Sequence, residues 1–164
     1  MQTQIKCLDK FGPLITTEKR VKILVGGRAS TKTTFVADYV LSDVMQGNIW
    51  CCGREFQNSI DESVHRTLCD EIERLRLSGF DITTSGMTHA SGGRPFYRGL
   101  ARNITSIKGM LSGVKGLWLE EGESTSDNTL RVLTASLRNS AKDVDEMMAM
   151  GIDIADMPVP EIWI

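Results

Sequence analysis

No apolar run in this 164-residue chain is long enough to span a bilayer, and nothing near its start has the build of a signal peptide. The four cysteines (Cys7, Cys51, Cys52 and Cys69) form no CxxC pair and meet no histidine at metal-ligand spacing. They are expected reduced and mostly buried, not bridged or ligating. Only two histidines occur, and neither stands in a catalytic spacing. His65 is expected on the exposed side of a helix and His89 in a turn. Internal repeats and low-complexity tracts are absent. A net charge of −2 leaves no bulk attraction to nucleic acid or an anionic membrane. What is left reads as a cytoplasmic chain with no membrane partner expected, 41% hydrophobic and 24% charged, which suits one α/β-sized domain over 1–164.

The pattern alternates between apolar strands and amphipathic helices. "VKILVGG" reads as a short buried strand ending in glycines, and the helix after it carries Val36, Val40 and Val44 on one stripe, stopping near Gly47. "NIWCCG" is a second strand. Ser59 and Glu62 make a capping-box pattern opening a long helix with Ile60, Val64, Leu68, Ile72 and Leu75 at helical spacing, up to Gly79. "FDITTS" and "PFYRG" alternate like an exposed antiparallel pair with "HASGGRP" as their turn. "GLWLE" is a third buried strand, followed by a helix with Leu130, Leu133 and Leu137. Residues 139–160 read as a polar, Met-rich excursion with a short helix, its Met147, Met148, Met150 and Met157 filling a local apolar cluster. "PEIWI" is a last buried strand. Buried strands alternating with helices predict an α/β fold with a mostly parallel central sheet flanked by helices.

The stretch "GGRASTKTT" directly follows the first strand. A phosphate-binding loop needs a strand, a tight glycine-rich turn whose N–H groups ring the phosphates, and then a helix N-terminus. It also needs a lysine to reach the β- and γ-phosphates and a hydroxyl for Mg²⁺. Gly26, Gly27, Arg28, Ala29, Ser30 and Thr31, with Lys32, Thr33 and Thr34 opening the helix, are the candidate set. The bland alternative is a glycine turn with a surface lysine, and Thr31 favours it by placing a Cβ where the backbone would approach phosphate.

"GLWLEEGES" supplies the second signal: an apolar strand ending in two adjacent carboxylates. A P-loop ATPase places an acid at such a strand end to hold Mg²⁺ and another to orient the attacking water. Side chains of adjacent residues leaving a strand diverge, so Glu120 and Glu121 can serve different targets. Standing alone, the pair would read as a solvated acidic turn. Behind a phosphate loop at this separation, it reads as part of a nucleotide site.

Together "FGPLITTEKRVKILVGGRASTKTT", "CCGREFQNSIDESVHRTL", "SIKGMLSGVKGLWLEEGES", "TLRVLTASLR" and "EIWI" resemble the ATPase domain of phage terminase large subunits. The resemblance runs from Phe11 to Ile164, with five motifs in order. It implies a P-loop NTPase of the RecA/ASCE-like kind that uses ATP and Mg²⁺ to drive double-stranded DNA into a procapsid in the host cell cytoplasm. Lys32 and Thr33 would meet phosphate and Mg²⁺, Glu120 would be the Walker B metal acid and Glu121 the catalytic carboxylate. Arg28 would be the loop arginine beside the γ-phosphate, with a solvated loop arginine as the bland alternative. Arg54 and Ser59 match the segment after the second strand, and Arg138 a Leu-Arg helix end. Phe11 and Pro13 either pack on adenine or only lead into the first strand. The implied partners are the portal protein of the procapsid, a small terminase subunit and further copies in a ring, one of which would lend an arginine.

The chain departs from the family pattern in several places. Ala29 and Thr31 stand where the family has glycine, Glu120 where aspartate is commoner, and 139–160 is longer than the usual link. The family's nuclease domain has no counterpart in 1–164, so the expectation is an ATPase domain truncated at its C-terminal side. A basic stretch is also notable: from Ile82 to Leu119 no acid occurs, while Arg94, Arg98, Arg102, Lys108 and Lys115 do. It reads either as a solvated hairpin and loop or as a DNA-backbone surface. The competing reading of the whole chain is a hydrolytically weak nucleotide-binding module with a regulatory or DNA-binding role. A helicase-type ATPase would need further motifs that these residues do not contain.

Overall fold

The computed structural model describes residues 8–27, 29–55, 60–100, 107–139, 141–151 and 160–164; the side chains of 60–62 and 141–143 also lie outside that description. A 3-10 turn at Asp9–Phe11 leads into α1 (Gly12–Thr16), β1 (Val21–Lys22) and α2 (Lys32–Val44). Then come β2 (Ile49–Arg54), α3 (Ile60–Leu75), β3 (Phe80–Ile82), β4 (Met87–His89) and β5 (Arg94–Gly99). The chain continues through β6 (Gly116–Leu119), a 3-10 turn at Gly122–Ser124, α4 (Asp127–Ser136), α5 (Ala141–Ala149) and β7 (Glu161–Trp163).

Five strands form one parallel sheet in the order β1-β7-β6-β2-β5. Period-2 alternation sends neighbouring side chains to opposite faces. Trp50, Cys52, Trp118 and Trp163 thus meet α2 and α3, whose Val36, Val40, Val44, Val64, Leu68 and Ile72 are buried as their spacing predicts. Cys51, Leu117, Leu119 and Ile162 face the other way, onto Ile107, Leu111 and Val114 and onto Leu133 and Leu137 at the C-terminal part of α4. Helices on both faces explain why the strands read as continuous apolar runs. Gly116 is where Trp50 crosses β6: a Cβ there would lie 2.3 Å from the indole ring.

Several charged groups taken into this core are paired. Lys22 Nζ, almost fully buried, meets Glu161 Oε1 at 2.9 Å, while Tyr39 and Trp163 donate to Glu161 Oε2 at 3.1 and 2.9 Å. Arg74 bridges α3 to Asp38 of α2 through two hydrogen bonds at 2.8 and 3.0 Å and also pairs with Glu71. Burial raises Asp38 to about 6, against the Arg74 charge that lowers it.

Several expectations need correction. β3 pairs antiparallel with β4, closed by Thr83 N–H donating to the Gly86 carbonyl at 2.9 Å, so the turn lies inside "ITTSGM". The "PFYRG" segment is β5, which instead extends the central sheet parallel to β2. It is an edge strand, so Pro95 is tolerated, and alternation alone does not say which neighbour a strand takes. His65 is buried, not exposed: the hairpin and β5 widen the covered arc of α3. Its Nε2 lies 3.0 Å from the Thr83 carbonyl and its Nδ1 2.9 Å from the Tyr97 hydroxyl, so Nε2 carries the proton and Nδ1 accepts. His89 lies in β4, not in the turn. The first strand is shorter than "VKILVGG": only Val21–Lys22 pair as strand, with Leu24 N–H still reaching the Ile164 carbonyl. The helix α3 ends at Leu75, short of Gly79, where Arg76 turns left-handed (φ 52°). Met148 and Met150 are exposed and fill no apolar cluster, since no described side chain of α5 joins either core layer; Met157 lies outside the described residues.

Candidate functional site

Parallel strands deliver their following loops to one edge of a sheet. β1 and β6 are separated by β7 alone, so the loop after β1 and the acids after β6 emerge on that edge two strands apart. The three strand ends are tied together. Ile164 N–H donates to the Lys22 carbonyl at 2.9 Å and its own carbonyl accepts from Leu24 at 2.7 Å. The Ile164 side chain fills the space over Gly122, where a Cβ would lie 2.1 Å from it. Only glycine lets the acidic turn close on the end of β7.

In the loop, Lys32 begins α2 and folds back over the turn. Its Nζ donates to the Gly26 carbonyl, to the Gly27 carbonyl at 3.2 Å and to Ser30 Oγ at 2.9 Å. The ammonium therefore sits in the loop's mouth among three exchangeable oxygen partners. The first-turn amides of α2, at Lys32, Thr33 and Thr34, have no intrahelical acceptor and lie at the positive end of the helix dipole. Thr33 is exposed beside them and Thr34 half-buried. Ala29 and Thr31, which stand in place of the family's glycines, both adopt left-handed backbone (φ 60° and 63°). That costs a non-glycine residue about 1–2 kcal/mol. Partial compensation is local: Thr31 Oγ1 donates to the Ser30 carbonyl at 2.6 Å, and Lys10 Nζ reaches the same carbonyl at 3.0 Å. Arg28 lies outside the described residues.

At the acid strand, Glu120 N–H still donates to the Gly53 carbonyl at 3.0 Å, so Glu120 continues the ladder. Glu121 leaves it, with φ 54° and ψ 43°. Strain of this kind gathers at functional sites, and three of the four left-handed non-glycine residues among those described are Ala29, Thr31 and Glu121. Arg54, at the end of β2, spans both acids: its Nε lies 2.7 Å from Glu120 Oε2 and one Nη 2.8 Å from Glu121 Oε1. Ser63 Oγ donates to the same Glu120 oxygen at 3.2 Å. The two carboxylates differ in setting, with side-chain exposures of 15% for Glu120 and 61% for Glu121. Arg54 holds both acids, but only Glu121 faces solvent.

Sequence reasoning gave Arg54 no role toward the acids and missed Ser63 and Lys10. The available signal was an arginine at the end of a buried strand adjacent to the acid strand. Phe11 is stacked on Phe35 (centroids 4.3 Å apart, planes at 9°) and is buried, so one ring face is already taken. Ser59 lies outside the described residues. Arg138 is not at this edge: its carbonyl accepts from Gly113 N–H, near the start of β6. Burial pushes the Cys51 thiol up to about 12 and also raises Cys52 well above its ordinary value, so neither is a nucleophile. Among the described residues no helix is long and apolar enough to cross a membrane, and no group of three or more His, Cys, Asp or Glu converges as a metal cage.

Comparison with known proteins agrees with this architecture. A solved structure described as the Phi-28 gp11 DNA packaging motor superposes with a TM-score of 0.53 at 17% identity, over 93% of this chain and 48% of that one. The chain thus spans about half the length of that structure, and the likeness establishes the fold, a parallel α/β sheet flanked by helices. No curated protein matches the chain. The family model of the phage terminase large subunit matches residues 18–155, most of the chain and all of the strands from β1 to β6. The chain therefore belongs to the phage terminase large subunit family.

Proposed function

We propose that the chain binds and hydrolyses Mg-ATP as the motor domain of a viral DNA-packaging terminase, driving double-stranded DNA through the portal into a procapsid. The carrying observation is the convergence on one sheet edge of the lysine-filled loop and the Arg54-bridged acid pair. Lys32 would exchange its loop oxygens for the β- and γ-phosphates, and the amides of the loop and of the first turn of α2 would ring the phosphates. The Thr33 hydroxyl and Glu120 suit Mg²⁺, which is held by one or two carboxylates together with substrate phosphates. When bound, the ion would neutralise charge developing on the transferred phosphoryl group. Glu121 Oε2 has no partner among the described residues, so this oxygen is available to accept a proton from the attacking water. Arg28, and an arginine from a neighbouring copy in a ring, would stabilise the transition-state charge. A small terminase subunit would complete the assembly.

A second reading, a nucleotide binder with weak hydrolysis, is favoured by two observations: strain at Thr31 and the hold of Arg54 on both acids. The two readings share ATP binding. Titration calorimetry with Mg-ATP should give clear binding for the wild type and the loss of most of it in Lys32→Ala. Equal affinities would refute both.

A further inference from the structure

A cavity of about 510 Å³ lies along α4, on the sheet face away from α2 and α3, lined by Lys108, Arg131, Val132, Ala135, Ser136 and Arg138. Among the described residues, three of the six that line it are cationic and none is acidic. In a chain of net charge −2 this is a local reversal of sign. Among the described residues none of the three cations has an ion-pair partner. Among the described residues Arg131 donates only to Asn128 of its own helix, at 3.2 Å.

The ordinary explanation for a cation past a helix end is that it caps the last carbonyls. Here that task is already filled. Arg20, reaching across from the approach to β1, donates to the carbonyls of Thr134 and Leu137 at 2.5 and 2.6 Å. Arg138 is surplus to the cap. It is nonetheless fixed in place: Gly113 N–H donates to its carbonyl at 3.1 Å, and it bridges Ser112 in parallel. Lys108 projects from the turn that buries Ile107 and Leu111, and Arg131 from the helix that buries Leu133 and Leu137. The charges therefore stand on two core-anchored elements and converge on one concavity.

The position matters as well. Arg138 and Lys115 lie where the strands begin, with Lys115 N–H on the Ile49 carbonyl, and so does Arg94, whose N–H reaches Asn48. The loop and the acid pair lie where the strands end. An anion held in the concavity would not compete with nucleotide phosphates.

We infer that the Lys108–Arg131–Arg138 concavity is a docking surface for the phosphodiester backbone of duplex DNA, separate from the nucleotide site. This rests on the DNA-translocating reading above and names the surface that would carry it. Two guanidinium forks and one ammonium match phosphate oxygens without reading base edges. Binding should be independent of sequence. The other basic groove, beside β5, is a poorer fit: Asp81 lines it, and Arg98 already donates to the Tyr97 carbonyl at 2.7 Å and lies over the Phe96 ring.

The test is fluorescence anisotropy of a labelled duplex against the full chain, without nucleotide, across a salt series. It compares wild type, Lys108→Gln/Arg131→Gln/Arg138→Gln and Arg94→Gln/Arg98→Gln. Each phosphate contact contributes about 0.9 to the slope of log affinity against log salt. Three lost contacts should flatten the slope by about 2–3 units and weaken binding roughly 10²-fold at ~0.1 M salt. Mg-ATP affinity should stay at the wild-type value. The three residues lie at the surface, so an unchanged melting temperature is expected and separates lost contact from lost fold; the single glutamine variants, each flattening the slope by about one unit, give the same reading if the triple variant melts early. A wild-type slope in the triple variant overturns the surface alone, as does a larger effect from Arg94→Gln/Arg98→Gln. Loss of tripolyphosphate binding with duplex binding retained would make the concavity a small-anion site and overturns it too. A wild type that binds no duplex at low salt contradicts the translocating reading itself.

Discussion

Thr31 is the sharpest point of departure from the family pattern, and the structure makes it quantitative. Its φ of 63° is one that a β-branched residue adopts at a cost of about 1–2 kcal/mol. Replacing it by glycine removes that strain, returns about 0.5–1 kcal/mol to the entropy of the unfolded chain, and deletes an exposed hydroxyl bond to the Ser30 carbonyl. The terms nearly cancel. Thr31→Gly should leave stability within about 1 kcal/mol of wild type, a melting shift of no more than roughly 2–4 °C for a domain of this size. Thr31→Val keeps the strain and loses only the hydroxyl, so it should melt lower than both. Nucleotide affinity follows different physics, because strain common to the free and bound loop does not alter it. The glycine removes a Cβ from the face that would meet phosphate, so Mg-ATP affinity or turnover should rise, by up to about fivefold for 1 kcal/mol. Scanning calorimetry and Mg-ATP titration on the three proteins read both quantities. A fall in both affinity and turnover for Thr31→Gly would show that the threonine is adapted to this loop and that the steric argument is wrong.

Two further expectations concern the core. Glu161→Gln strands the buried Lys22 ammonium and should cost about 3 kcal/mol, or a melting drop of roughly 6–12 °C, whereas Lys22→Met/Glu161→Met should cost less; the reverse order would contradict the assignment of a desolvated pair. Burial raises Asp38 from an ordinary carboxylate value to about 6, so the native state binds more protons than the unfolded one between those values and its stability falls as pH rises through that window. The melting deficit of Asp38→Asn relative to wild type should therefore shrink from pH 5 to pH 7.5, and a deficit that grows would mean Arg74 dominates over burial.

How much was legible in the residues follows the physics of each signal. The stripes Val36–Val40–Val44 and Val64–Leu68–Ile72 are local, periodic and strong, and they form as read. So are the buried strands around Trp50, Trp118 and Trp163. Pairing partners are not local: nothing in "PFYRG" distinguishes an antiparallel neighbour from a parallel edge position beside β2. The helical face of His65 is decided by a hairpin that arrives later in the chain. The lysine and the acid pair stand out in the sequence because a nucleotide site would demand fixed spacing after a strand, and sheet order brings both to one edge. Arg54 was readable only as a position, since a bond from one strand end to two acids on the next depends on sheet order. The surplus of Arg138 at a helix end depends on Arg20, more than a hundred residues earlier, and no local pattern carries it.

The central claim is that Glu121 activates water for ATP hydrolysis while Lys32 and Glu120 hold the substrate and its metal. Glutamine at 121 is nearly isosteric and can keep a hydrogen bond to Arg54, but it cannot accept a proton. The direct measurement is Mg-ATP affinity and turnover of Glu121→Gln beside wild type, in the full-length protein assembled with procapsid and DNA. The complete assembly is needed because an arginine supplied by a neighbour is worth about 10³-fold or more in such enzymes. The account predicts affinity near the wild-type value and turnover lower by roughly 10²–10⁴-fold. Packaging at the wild-type rate would contradict it and leave the acid pair as a solvated turn held by Arg54.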